Sequence, residues 1–104
     1  MPAKRLSKTI ARCFGVELRQ ARDAAALTQQ TLAERAEVDP VFISFLENGH
    51  RQPSLTVLLA LERALGLKAG ALARRVGERL VENPAEKAHG TNTRRGSKKK
   101  AQRT

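Results

Sequence analysis

Apolar residues recur along this chain at helical spacing, and no run of strict alternation marks a strand. Ile10, Phe14, Leu18 and Ala21 stand at i, i+4, i+8 and i+11. That stripe predicts a first helix from about Ser7 to Ala25, with Glu17, Arg19, Gln20 and Asp23 mainly off it. Thr28 can cap a second helix by accepting an orphan backbone N–H, and Leu32, Ala33 and Ala36 form its apolar side. Asp39-Pro40 is a strong start signal for a third helix, an N-cap followed by proline at the first helical position. Ile43 and Leu46 are its apolar pair, and Asn48-Gly49 supplies the stop. Only Glu37 and Val38 separate the second and third helices, which forces a sharp turn.

Ser54 caps a fourth helix, the most apolar stretch, with Leu55, Leu58, Leu59, Leu61, Leu65 and Leu67; Gly66 is its left-handed stop. A fifth runs from about Ala69 to Glu82, weakened by Gly70 and Gly77. Its stripe of Leu72, Val76 and Leu80 is either ordinary core or a face left partly open to a second copy of the chain. Five short helices with short connections make an all-α fold, a compact five-helix bundle.

Charge divides the chain differently. Residues 1–12 carry Lys4, Arg5, Lys8 and Arg12 and no acid, whereas residues 13–82 balance nine positive against nine negative side chains. Residues 83–104 carry seven positive side chains and one negative, and no Leu, Ile, Val, Phe or Met. Such a segment cannot bury enough apolar area to offset the entropy of ordering it, so it is expected as a basic, disordered tail beginning at Asn83-Pro84. The tail serves either solubility or phosphate attraction. The expected organisation is a basic arm at 1–9, a helical domain at 10–82 and the tail at 83–104.

The net charge of +10 on 104 residues points to a polyanionic partner: nucleic acid, an anionic membrane surface or an acidic protein. Aromatics make up 3% of the chain, with no Trp or Tyr, which argues against a binder that stacks single-stranded bases. Cys13 alone makes neither an internal disulfide nor a thiolate zinc site, and an intracellular, cytoplasmic protein is expected. No stretch is long and apolar enough to span a membrane. The basic N-terminus has no apolar core of a secretory signal; an organelle transit peptide is also basic and acid-poor, but this arm runs straight into a predicted helix. His50 and His89 are isolated, no cluster has metal-ligand spacing, and Cys13 is expected to be a half-buried apolar residue rather than a nucleophile. No glycine-rich phosphate loop follows a strand. The residues suggest no enzyme, no cofactor, no metal and no small-molecule ligand.

The informative stretch is Gln29 to Leu46, QQTLAERAEVDPVFISFL. Ala33 is small where two helices must cross, and Leu32, Val38, Ile43 and Leu46 are apolar knobs that fix their angle. The outward residues of the second of these helices are then free to enter a DNA major groove. The sequence here resembles the Cro and phage-repressor type of helix-turn-helix, the Xre family, over residues 13–81. The resemblance rests on Leu18, Arg19 and Arg22; on LTQxxLA at Leu27 to Ala33; on VxxxxISxLENG at Val38 to Gly49; on PSL at Pro53 to Leu55; and on LxxALGL at Leu61 to Leu67. It implies a lambda-repressor-like bundle that binds double-stranded DNA as a homodimer on two half-sites, a sequence-specific transcription regulator.

The resemblance also implies roles. Thr28 and Gln29 open the second helix at a phosphate, beside Gln30, and the helix N-terminus adds backbone donors. Pro40, Val41, Ser44 and Phe45 face the groove. Asn48 is a second backbone-contact position, and His50, Arg51 and Gln52 lie in the loop on the DNA side. Arg22 and Glu47 match an ion pair, worth under about 1 kcal/mol if superficial and several times more if buried.

Two features depart from the pattern. None of the groove-facing residues is Arg, Lys, Asn or Gln, so bidentate base contacts are missing; Ser44 is the one hydrogen-bonding side chain, and Val41 and Phe45 suit thymine methyls. Phe42 faces either way. Glu37 stands where the family usually has glycine, at a cost of about 1–2 kcal/mol if the turn is left-handed. The apolar outer face leaves a second class open, a protein-docking adaptor or antitoxin. The basic segments leave open a third, a non-specific DNA binder.

Overall fold

A computed structural model describes residues 2–82. The basic tail at 83–104 lies outside the described residues. The elements are α1 (Ala3–Ala24), α2 (Gln29–Ala36), α3 (Pro40–Glu47), α4 (Leu55–Ala64) and α5 (Ala71–Glu82), with no strand among the described residues.

Three of the starts are built by the side chains the sequence offers. Thr28 Oγ1 accepts from the Thr31 N–H at 2.9 Å, Asp39 Oδ1 from the Val41 N–H at 2.8 Å, and Ser54 Oγ from the Val57 N–H at 3.1 Å. Each satisfies a donor that the first helical turn leaves orphaned. Glu37 does take the left-handed conformation, with φ 60° and ψ 45°, and closes α2. Val38 then donates its N–H to the Ala33 carbonyl at 2.9 Å, which folds the chain into α3 within three residues.

The core is formed by Phe14, Leu18 and Ala21 of α1, Leu32, Ala33 and Ala36 of α2, Ile43 and Leu46 of α3, Leu61 of α4, and Leu72 and Val76 of α5. α1 is the central strut, lying against α3 and α5, while α2 packs on α3 and α4. Leu72 and Val76 are buried and Leu80 is half-buried against the same core, so the α5 stripe is core rather than an open face. Phe42 packs inward, and Cys13 is half-buried.

Three features differ from the sequence expectation. First, α1 begins at Ala3, not near Ser7, so the basic residues expected in an arm at 1–9 are turns of helix. Second, Glu17 lies off the apolar stripe yet is buried against α5, where Arg79 Nε donates to its Oε2 at 2.9 Å. Third, α5 starts at Ala71 because Glu62, fully buried on α4, accepts from the Gly70 N–H at 2.7 Å and the Leu72 N–H at 2.8 Å. A carboxylate inside the bundle thus supplies the anchor for the last helix.

Candidate nucleic-acid interface

Position starts with α1 and α3. Gly15 sits where their backbones touch: a Cβ there would lie 2.6 Å from the carbonyl oxygens of Leu46 and Glu47. The missing side chain lets the end of α3 sit directly on α1. Glu47 then turns its carboxylate back toward α1 and α2.

That carboxylate is the polar hub of the region, with its side chain 1% exposed. Its Oε2 accepts from Arg22 Nε, and its Oε1 from Arg22 Nη2 at 3.1 Å and Gln29 Nε2 at 3.0 Å. Arg19 adds a longer ion pair at 3.6 Å. Arg22 is 12% exposed and donates its Nη1 to the Leu27 carbonyl at 2.9 Å, so it also holds the turn into α2. The hydrogen bond to Glu47 raises the Arg22 pKa, against the opposing effect of burial. One fork-shaped contact therefore fixes α1, the start of α2 and the end of α3 together.

Gln29 is half-buried rather than free, because one of its amide hydrogens goes to Glu47. The amide carries a second hydrogen that this bond does not use. Gln30 is exposed and donates to Glu34 at 3.2 Å. Thr28 spends its oxygen on the α2 cap.

The outer face of α3 carries Val41, 58% exposed, and Phe45, 39% exposed, with half-buried Pro40 and Ser44 beside them. Asn48 Nδ2 donates to Ser44 Oγ at 3.4 Å, so the two polar groups of this face are engaged with each other. Phe45 is flanked by the loop that follows: the His50 ring lies 6.2 Å away, centroid to centroid, and the Arg51 guanidinium 5.9 Å from the ring centre. The His50 N–H donates to the Phe45 carbonyl at 2.9 Å, which turns the loop back over the helix end. Arg51 is exposed and stacked, a planar cation held at the edge of an apolar face.

Gln52 points elsewhere. Its Nε2 donates to Ser7 Oγ at 2.6 Å and to the Ser7 carbonyl at 3.2 Å, fastening the α3–α4 loop to the first turns of α1. Gly49, with φ +75°, packs on Arg12, whose Cα would be 3.2 Å from a Cβ. The structure thus gathers Val41, Ser44, Phe45, Asn48, His50 and Arg51 on and just after α3.

The matches to known proteins now have a geometry to rest on. Residues 18–72 match the family model described as helix-turn-helix. The chain belongs to the Xre-type helix-turn-helix family. It is 36% identical over 72 residues to the propionyl-CoA carboxylase regulator of Cereibacter sphaeroides; that stretch is 69% of this chain but 16% of that protein. Among solved structures it resembles the restriction-modification controller protein C.AhdI of Aeromonas hydrophila, at 33% identity and a TM-score of 0.57, covering 64% of this chain and 94% of that one. It also resembles the clp gene regulator ClgR of C. glutamicum, at 27% identity and a TM-score of 0.63, covering 68% of this chain and 92% of that one. These relatives are regulators rather than enzymes by their names. Among the described residues of this Xre-type chain no His, Cys, Asp and Glu cluster is arranged to hold a metal ion, and no helix is long and apolar enough to cross a membrane.

Several contacts were not legible as site features beforehand. Gly15 gave a faint signal, a small residue between Phe14 and Leu18 on a helix otherwise rich in side chains. The Gln29–Glu47 bond, the Gln52–Ser7 bond and the Phe45, His50 and Arg51 stack join residues 18, 45 and about five apart in sequence, which no local pattern encodes.

Proposed function

We propose that this chain is a sequence-specific, double-stranded-DNA-binding transcription regulator that works as a homodimer in the cytoplasm. It inserts the outer face of α3 into the major groove. The observation that carries this reading is the clamp of Arg22 and Gln29 on Glu47, which holds the start of α2 and the exposed face of α3 in one rigid unit. Gln29 with its second amide hydrogen, the α2 N-terminus beside Thr28 and Gln30, and Asn48, His50 and Arg51 flank that face and supply the phosphate contacts, while Gln52 holds the loop to α1. Pro40, Val41, Ser44 and Phe45 meet the bases. A helix of eight residues covers only a few base pairs, so two copies related by a two-fold axis read half-sites about one helical turn apart. Leu55 and Leu59, exposed one turn apart on α4, are the apolar surface offered to the second copy.

Selection from a random duplex library at about 0.15 M salt tests the reading, with the full chain and a 1–82 truncation side by side. A palindromic consensus shared by both is the expected result. Absence of enrichment with either overturns it; retention that depends on the tail then favours a non-specific binder. The exposed Val41 and Phe45 favour one other reading, a protein-docking adaptor. In that case Phe45→Ala abolishes partner binding while DNA binding stays weak and indifferent to sequence.

A further inference from the structure

The first three turns of α1 add a feature outside the residues matched by the family model, which begin at position 18. Lys4, Lys8 and Arg12 stand at i, i+4 and i+8, on one line along the helix, with Arg5 beside it, and all four are exposed. This arrangement is unfavourable for the helix alone. Like charges four apart repel, and positive charge sits at the positive end of the helix dipole. Nothing local relieves it: the first turn holds no acidic residue, and Pro2 makes no side-chain cap. Yet the turns are not loose, because Thr9 is buried and bonded to the Arg5 carbonyl, and Gln52 grips Ser7. Gln52 and Gly49 belong to the loop directly after α3, so this stretch of α1 lies against the loop that also carries Arg51.

We propose that Lys4, Arg5, Lys8 and Arg12 form a helical rail for the phosphate backbone of DNA flanking the half-site. The rail rests on the DNA-binding reading above. It supplies affinity without sequence preference, because phosphates are alike at every step. A duplex also relieves the rail's self-repulsion, so its partner is a linear array of phosphates rather than a single anion.

The test is salt-dependent binding by the full chain carrying Lys4→Gln, Lys8→Gln and Arg12→Gln together, on the selected operator and on a random duplex. Loss of three phosphate contacts is expected to flatten the slope of log K against log salt by about 2.7 on both DNAs. The selected consensus is expected to stay the same. The charge-preserving Lys4→Arg, Lys8→Arg, Arg12→Lys variant is expected to keep the full slope, which separates charge from any loss of fold. An unchanged slope in the glutamine variant overturns the rail. A changed slope without any selected operator leaves the rail standing and removes the sequence-specific reading, so the two fail separately.

Discussion

Glu47 on α3 and Arg22 on α1, 25 residues apart, share a two-point hydrogen-bonded ion pair in which the carboxylate side chain is 1% exposed. Removing Arg22 takes the main counter-charge from a buried carboxylate, which keeps only Gln29 and the longer Arg19 pair, and removing Glu47 leaves a largely buried guanidinium without its main carboxylate. The expected cost of Arg22→Ala or Glu47→Ala is about 3–5 kcal/mol. In a domain of this size that lowers the thermal midpoint by well over about 10 °C. Replacing both residues with apolar ones of similar volume is expected to cost less than the two single changes summed, because no lone charge remains. The raised Arg22 pKa sets the pH behaviour: its contribution is complete at ordinary pH and is lost only as pH climbs through the raised value. Circular dichroism melts of the three variants check both statements.

Two helical glycines are expected to respond oppositely to alanine. At Gly15 the added Cβ meets two backbone oxygens at 2.6 Å, and neither can move without shifting α3 from α1. A loss of about 1–3 kcal/mol, or more, is expected. At Gly77 a Cβ meets nothing within 4 Å, so alanine is expected to stabilise by roughly 0.5–1 kcal/mol through helix propensity. Urea midpoints with unchanged m-values are the measurement.

Glu37→Gly is expected to stabilise the domain. Glu37 holds φ at 60°, a region that costs a side-chain-bearing residue about 1–2 kcal/mol and glycine almost nothing. The glycine gives back part of that through a more flexible unfolded chain, so a net gain below about 1 kcal/mol is expected. A fall in the urea midpoint would show that Glu37 makes a compensating contact.

The helices were legible because their information is local. Thr28, Asp39 and Ser54 each cap a helix through an atom two or three residues away, and the apolar stripes of α1 and α5 repeat within a few turns. Arg22 and Glu47 were legible through resemblance alone, since nothing in either residue's neighbourhood names a partner so far along the chain. Glu62 and Glu17 were hidden for a further reason. A carboxylate reads as a surface residue by composition, and only the fold reveals that Gly70 and Leu72, at the start of α5, present their N–H groups to one and Arg79 its guanidinium to the other. The basic line on α1 was visible as charge but not as helix, because Pro2, Lys4 and Arg5 carry no apolar stripe before Leu6.

The proposed base reading by α3 rests on what its outer face holds. Val41 and Phe45 are exposed and apolar, while Ser44 is bonded to Asn48. In the major groove the apolar feature of a base edge is the C5-methyl of thymine. In the proposed function Phe45 is the larger of the two readers, with the His50 ring 6.2 Å and the Arg51 guanidinium 5.9 Å from its ring centre. Replacing thymine by uracil removes that methyl and leaves every hydrogen-bonding atom in place. Loss of one buried methyl costs about 0.8 kcal/mol, or roughly fourfold in affinity. At least one thymine of each half-site is therefore expected to show that loss when changed to uracil. Phe45→Ala is expected to weaken binding to the thymine operator and to abolish the penalty at the position Phe45 reads, because the ring and the methyl contribute through the same contact. A uracil penalty that survives Phe45→Ala at every position assigns methyl reading to Val41. Full affinity for an all-uracil operator excludes methyl reading by either residue and leaves base discrimination to Ser44.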